Sequence, residues 1–199
     1  MLIQRDTQNF IMPAQGYPLK VHLGCWNRPL ADWINVDKVY MPGVDLIEDA
    51  RLLRSFRARS VDSIYASHIL DEISRWDYMG ALRRWYDILK IGGKLYLSVP
   101  DFEAIVARYQ QTKDLRELQG LLHGGQDHDG WTRSYSWDFD LMKSDLASTG
   151  FKDITRYHWW TTPFCGTPDH PRDDYSQAYL PHGDRENGMQ MSLNVLATK

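Results

Sequence analysis

The order of apolar runs in this chain predicts an α/β protein built on an open sheet of seven strands, mostly parallel. Two observations carry that prediction, and a third says what the sheet is for. Between Lys20 and Asp49 the chain reads KVHLGCWNRPLADWINVDKVYMPGVDLIED, with short apolar runs at 21–23, 33–36 and 44–47. Each run is followed by a glycine or a carboxylate, namely Gly24, Asp37 and the pair Glu48–Asp49. Short runs punctuated in this way read as buried parallel strands whose carboxyl ends carry polar groups. In an open α/β sheet that edge is where a ligand binds. A glycine there admits close backbone approach, and an acidic residue about one strand later can accept both hydroxyls of a ribose. The stretch therefore points to an adenosine-type cofactor site.

The remaining elements follow in order. Residues 1–19 are polar, carry Pro13 and Pro18, and are expected to lie over the sheet without adding to it. In CWNRPLAD, Asn27 can cap and Pro29 can open a short helix. ARLLRSFRARS can form another, with Leu52, Leu53 and Phe56 on one face. A fourth strand spans 61–66 and ends at Ser67 and His68. Ser74 can cap a long helix through Lys90, whose stripe is Met79, Leu82, Tyr86 and Leu89, and Gly92–Gly93 ends it. KLYLSVPD is the fifth strand, and Asp101 caps FEAIVARYQQ, with Phe102, Ile105, Val106 and Tyr109 as its apolar stripe. A short helix over 114–122 leads into the turn-rich HGGQDHDGWTRSYS. Ser136 caps WDFDLMKSDLAST, Gly150 closes that helix, and FKDITRYHWW is the sixth strand. Residues 161–188 show no periodicity and are longer than most connections inside a compact domain, as lids, binding loops and disordered segments are. MQMSLNVLATK supplies the last strand. With no repeat or linker, residues 1–199 read as one domain.

Composition narrows the partners. A net charge of -3 leaves no general basic footprint, so nucleic acid is not expected. No apolar run approaches the roughly 18 residues that span a bilayer. The opening MLIQRDTQNFIMPAQGYP lacks the cationic start and apolar block of a signal peptide. Two cysteines, Cys25 and Cys165, fit a reducing cytoplasm better than a disulfide framework. Eight tryptophans, several in polar stretches, suit either a pocket or plain core packing. His123, His128, Asp129, Asp169, His170, Asp173, Asp174 and His182 offer metal-ligand atoms, but without paired spacing, so no metal is expected.

Seven short pieces occur in a telling order: HLGC with WINVD, GVD with DA, YASHIL, LKIGGKLYLSVPD, HGGQ, STGF and SLNV. Together they resemble the class I S-adenosylmethionine (SAM) dependent methyltransferases, from about Lys20 to Lys199. The likeness is to the small-molecule branch found beside polysaccharide biosynthesis enzymes. It implies a Rossmann-like methyltransferase fold, with an antiparallel last strand and helices on both faces. It also implies SAM as cofactor and methyl transfer to a small polar acceptor, such as a sugar, glycan precursor or other metabolite. Carried onto this chain, it sets the methionine part of SAM against the Leu23–Gly24–Cys25 backbone and the ribose hydroxyls on Asp37. Asp49 and Ala50 meet the adenine, through a carboxylate and a backbone amide. Ser67 and His68 lie below the sulfonium and face the acceptor. A plainer reading of Asp37 is a strand-end carboxylate that caps the next turn.

Two departures bear on activity. The family's Gly-x-Gly after the first strand is here Gly24–Cys25–Trp26. If Trp26 takes positive φ, the strain costs about 1–2 kcal/mol; otherwise Trp26 can wall the methionine side of the pocket. The family's Glu-His after the fourth strand is here Asp71–Glu72. For an alcohol acceptor, which must lose a proton, His68 is the first candidate base and His128 the second. A catalytically weak protein of this fold, binding SAM or a partner protein, is the alternative. A nucleotide-binding oxidoreductase is disfavoured, because GxGxxG is absent after the first strand.

Overall fold

The computed structural model describes residues 4–14, 16–126, 131–166 and 174–199. His128, Asp129, Asp169, His170 and Asp173 lie outside the described residues. Seven strands form the central sheet: β1 (Lys20–Leu23), β2 (Ile34–Asp37), β3 (Leu46–Ile47), β4 (Val61–Ser67), β5 (Leu89–Pro100), β6 (Lys152–Arg156) and β7 (Ser192–Thr198). Their order across the sheet is β3-β2-β1-β4-β5-β7-β6. The first five are parallel, and β7 inserts antiparallel between β5 and β6. Leu23 pairs with Val36 on one side and Ala66 on the other. The residues after β1 and at the ends of β2 and β4 thus emerge at one edge, where the chain reverses direction across the sheet.

Helices α1 (Tyr78–Ile88) and α4 (Phe139–Thr149) cover one sheet face, burying Leu82, Trp85, Met142 and Leu146 against Val21, Ile64, Leu95 and Val195. On the opposite face, Tyr65 and Tyr96 pack with Trp33, Trp159, Phe164 and Cys165. Helix α2 (Phe102–Thr112), a 3-10 turn at Arg116–Leu118 and helix α3 (Gln119–His123) join a third cluster through Ile105 and Leu118. Residues 4–14 and 16–19 stay off the sheet. Gln4–Arg5 pairs with Ile11–Met12 in its own hairpin, and Ile11 and Leu19 enter the core.

Several elements differ from expectation. No helix forms in CWNRPLAD or over ARLLRSFRARS. In the second segment the Arg84 guanidinium donates to the carbonyls of Leu52, Leu53 and Phe56, which satisfies groups that a helix would otherwise pair. The buried stripe of α1 is Tyr78, Ala81, Leu82, Trp85 and Ile88, turned from the expected one because Trp85 fills the core. Only Ile105 is buried on α2; Phe102, Val106 and Tyr109 are exposed. Capping of α4 falls to Asp138, whose carboxylate accepts from Leu141 N at 2.8 Å, and not to Ser136.

Candidate functional site

The site begins where β1 ends. Leu23 is buried beneath it, and the Gly24 amide donates to Val36 O at 2.9 Å. Gly24 has φ +63, and a Cβ there would meet the Ile69 side chain at 3.0 Å. Only glycine suits both the conformation and the space. Trp26 does take positive φ, at +43, so the strained alternative holds for its backbone. Its amide donates to Asp37 Oδ2 at 2.8 Å, while Val39 N donates to Oδ1 at 3.0 Å. The carboxylate ending β2 therefore organises both loops beside it. Trp26 borders the cavity and is 40% exposed. Its backbone thus takes the strained alternative.

After β3, Asp49 is clamped by its neighbour. Arg51 Nε reaches both carboxylate oxygens at 3.0 Å, and its backbone N–H donates to Oδ1 at 2.8 Å. That hydrogen bonding holds the Asp49 carboxyl below the usual range. The Ala50 carbonyl accepts from Trp85 Nε1 at 2.7 Å, which fastens the loop to α1. Among the described residues the Ala50 N–H has no hydrogen-bond partner.

The far end of the cavity is assembled from distant segments. Ser67 Oγ, Tyr65 Oη and Ser176 N all donate to Asp174 Oδ1, at 2.8, 2.8 and 2.7 Å. This ties the C-terminal part of the long loop to the end of β4. His68, also at positive φ (+52), is buried with its ring beside Tyr175. Its Nε2 lies 2.9 Å from Ser192 Oγ and its Nδ1 lies 3.3 Å from Arg133 Nη1. A guanidinium can only donate, so Nδ1 is the acceptor and Nε2 carries the hydrogen. Burial, with Arg133 second, drives the His68 pKa well below its ordinary value, so the ring is neutral. Arg133 also forms an ion pair with the fully buried Asp71 and donates from Nε to Gly120 O at 3.0 Å. Glu72, next in sequence, lines the cavity, and burial raises its carboxyl to about 7, with Asp71 adding to the shift.

One cavity of about 620 Å³ gathers these groups. Gly24, Cys25, Trp26, Asp37, Asp49, Ala50, Ser67 and His68 line it; Leu23 does not. Glu72, Arg133, Asp174 and Tyr175 line it as well. The sequence marks Glu72 only as a departure, and nothing local to Arg133 or Tyr175 announces them. Asp174 was legible only as one of several loop residues able to ligate a metal, but its carboxylate is a hydrogen-bond anchor.

No protein-family model and no curated protein matches the chain. Solved structures do. A SAM-dependent methyltransferase from Archaeoglobus fulgidus is 14% identical, with 93% of this chain and 87% of that one covered, at a TM-score of 0.56. One from Thermotoga maritima, described as a possible histamine N-methyltransferase, is 15% identical, with 92% and 83% covered, at 0.58. The chain has the class I SAM-dependent methyltransferase fold. The DszA carbon methyltransferase shares this fold at 13% identity and a TM-score of 0.52, with 94% of this chain and 48% of that one covered. In the methyltransferase sheet seen here, the cavity occupies the carboxyl edge of β1, β2, β3 and β4.

Proposed function

We infer that the protein is a SAM-dependent methyltransferase acting on a small polar acceptor such as a sugar, glycan precursor or other metabolite. The observation that carries this reading is the succession of groups along one cavity. Gly24 follows β1, Asp37 ends β2 and Ala50 follows β3, on three adjacent parallel strands. This donor and acceptor set suits an adenosine cofactor. Each Asp37 oxygen accepts one backbone N–H and keeps a lone pair for a ribose hydroxyl. The Ala50 N–H suits a ring nitrogen of adenine, while Asp49 would share its carboxylate between Arg51 and the adenine amino group. The cavity volume falls within the roughly 300–1,000 Å³ of small-molecule sites.

When bound, SAM supplies a methyl group already activated by a sulfonium leaving group. The chain contributes position, which can be worth roughly 7–11 kcal/mol. Neutral His68, with one nitrogen donating to Ser192 and the other accepting from Arg133, serves as a fixed wall of the acceptor end. It could take a proton only if Arg133 withdrew. Those engaged nitrogens, and the strain at Trp26, favour a second reading in which SAM is bound without turnover. Calorimetric titration with SAM beside NAD tests the shared part: saturable binding of SAM alone is expected, and preference for NAD would overturn it. Release of S-adenosylhomocysteine with a panel of sugars and amines then separates turnover from binding.

A further inference from the structure

Five carboxylates line the cavity: Asp37, Glu48, Asp49, Glu72 and Asp174. Four of them are occupied. Asp37 takes the amides of Trp26 and Val39, Glu48 accepts from Ser55 N at 3.1 Å, Asp49 is clamped by Arg51, and Asp174 anchors three donors. Among the described residues, the Glu72 carboxylate has no hydrogen-bond or ion-pair partner. Its backbone carbonyl accepts from Ser134 Oγ at 3.3 Å and its amide donates to Ile69 O at 3.3 Å, so the residue itself is held. Ile69 is the residue that closes over Gly24. Glu72 thus lies one 3-10 turn beyond the cover of the β1 loop. The charged groups around it are Asp71 and Asp37, which oppose its ionisation, and Lys38 and Arg133, which favour it. It lines the cavity within electrostatic reach of both the β2 carboxylate and Arg133.

A carboxylate left unpaired in a half-dry cavity is costly, and the cost falls when a cation arrives. We propose that Glu72 is the counter-charge for the cationic centre of the methyl donor, so that the site grips the sulfonium form and releases the neutral thioether product. This inference rests on the function proposed above. It assigns Glu72 a part in discriminating SAM from S-adenosylhomocysteine, with its charge as the determinant. At neutral pH burial leaves about half of Glu72 protonated, since its carboxyl titrates at about 7. A cation draws the ionised form and expels the proton, whereas a neutral ligand has no such preference.

The test is isothermal calorimetry of SAM and S-adenosylhomocysteine on the wild-type protein and on Glu72→Gln, between pH 6 and pH 8. If the cation binds only the ionised form, the wild type should tighten on SAM by about tenfold more over that range than the variant does, given the competent fraction at each pH. The ligand's own amino group titrates against both proteins and cancels in that comparison. S-adenosylhomocysteine should bind both proteins alike, which also reports that the variant is folded. On the wild type alone, proton counts from buffers of different ionisation enthalpy should show about half a proton more released by SAM than by S-adenosylhomocysteine at pH 7. Equal proton counts for the two ligands, or equal weakening of both by Glu72→Gln, would overturn the role of Glu72 and leave the cofactor assignment standing. A wild-type protein that binds neither ligand at any pH would overturn both.

Discussion

At one end of the cavity, Gly24, Trp26, Asp37 and Ala50 all come from the stretch between β1 and just past β3, and their groups are mostly backbone amides organised by one carboxylate. At the other end, Ser67, Glu72, Arg133 and Asp174 come from segments far apart in the chain; Ser67 is tied to Asp174 by a hydrogen bond, and Arg133 is held by its ion pair with buried Asp71. The first end tolerates strain: Trp26 stays at φ +43 because Asp37 fixes its amide. The second end tolerates burial of charge: among the described residues Asp71 Oδ1 has no hydrogen-bond partner, and the other oxygen relies on Arg133. A cradle made of backbone can lose a side chain and keep its shape. A cluster made of compensated charges cannot lose one member without stranding another.

That contrast sets the size of the expected effects. Replacing Arg133 should cost the most. Arg133→Met strands buried Asp71 and should lower stability by about 3–5 kcal/mol, read from denaturant unfolding. Removing both charges with Asp71→Leu and Arg133→Met should recover most of it, and a double variant no better than the single would break the ion-pair account. Asp37→Ala is next. It removes the acceptor for two backbone amides and, under the proposed function, for the ribose, and should weaken SAM binding by about 1.5–3 kcal/mol. An unchanged titration would take Asp37 out of the site.

Trp26→Gly should act in opposite directions on two readouts. Strain present with and without ligand drops out of the affinity but not out of the stability, so the variant should gain up to about 1–2 kcal/mol in unfolding. The lost ring surface should at the same time loosen SAM binding. Tighter binding would remove the wall and strengthen the reading without turnover. A further effect is a pH slope. Glu72, raised from 4.5 to about 7, contributes stability that is full below 4.5 and lost as pH rises through 7. His68, pushed below 6.5, contributes stability present above 6.5 and lost as pH falls. Wild type should therefore lose stability relative to Glu72→Gln as pH climbs from 4.5 to 7, measured by unfolding midpoints across that range. A difference that stays constant with pH would show that Glu72 does not titrate there.

The same contrast explains what could be read in advance. The sheet was legible because short apolar runs with polar ends have few other uses, and Gly24 and Asp37 were legible because their places at strand ends follow from it; Ala50 came from the family resemblance. The conformation of Trp26 was open, since sequence does not reveal which turn a loop adopts. The helices expected in CWNRPLAD and ARLLRSFRARS do not form, and in the second segment a tertiary partner, Arg84, takes the carbonyls that a helix would pair. The Arg133–Asp71–His68 cluster was not legible, because no spacing along the chain connects residues that meet only after folding. His68 was read as a base from its position; its neighbours make it neutral and engage both ring nitrogens.

Hydrogen exchange with and without saturating SAM tests the central claim most directly, because it asks whether the cofactor occupies the strand-end cradle. Slower exchange is expected at the amides of Gly24 to Trp26, at Val39 and at Ala50, with added protection at Tyr175 to Gln177 where the C-terminal segment borders the cavity. Unchanged exchange at the cradle amides, or protection confined to another face of the molecule, would contradict the assignment of this cavity to SAM.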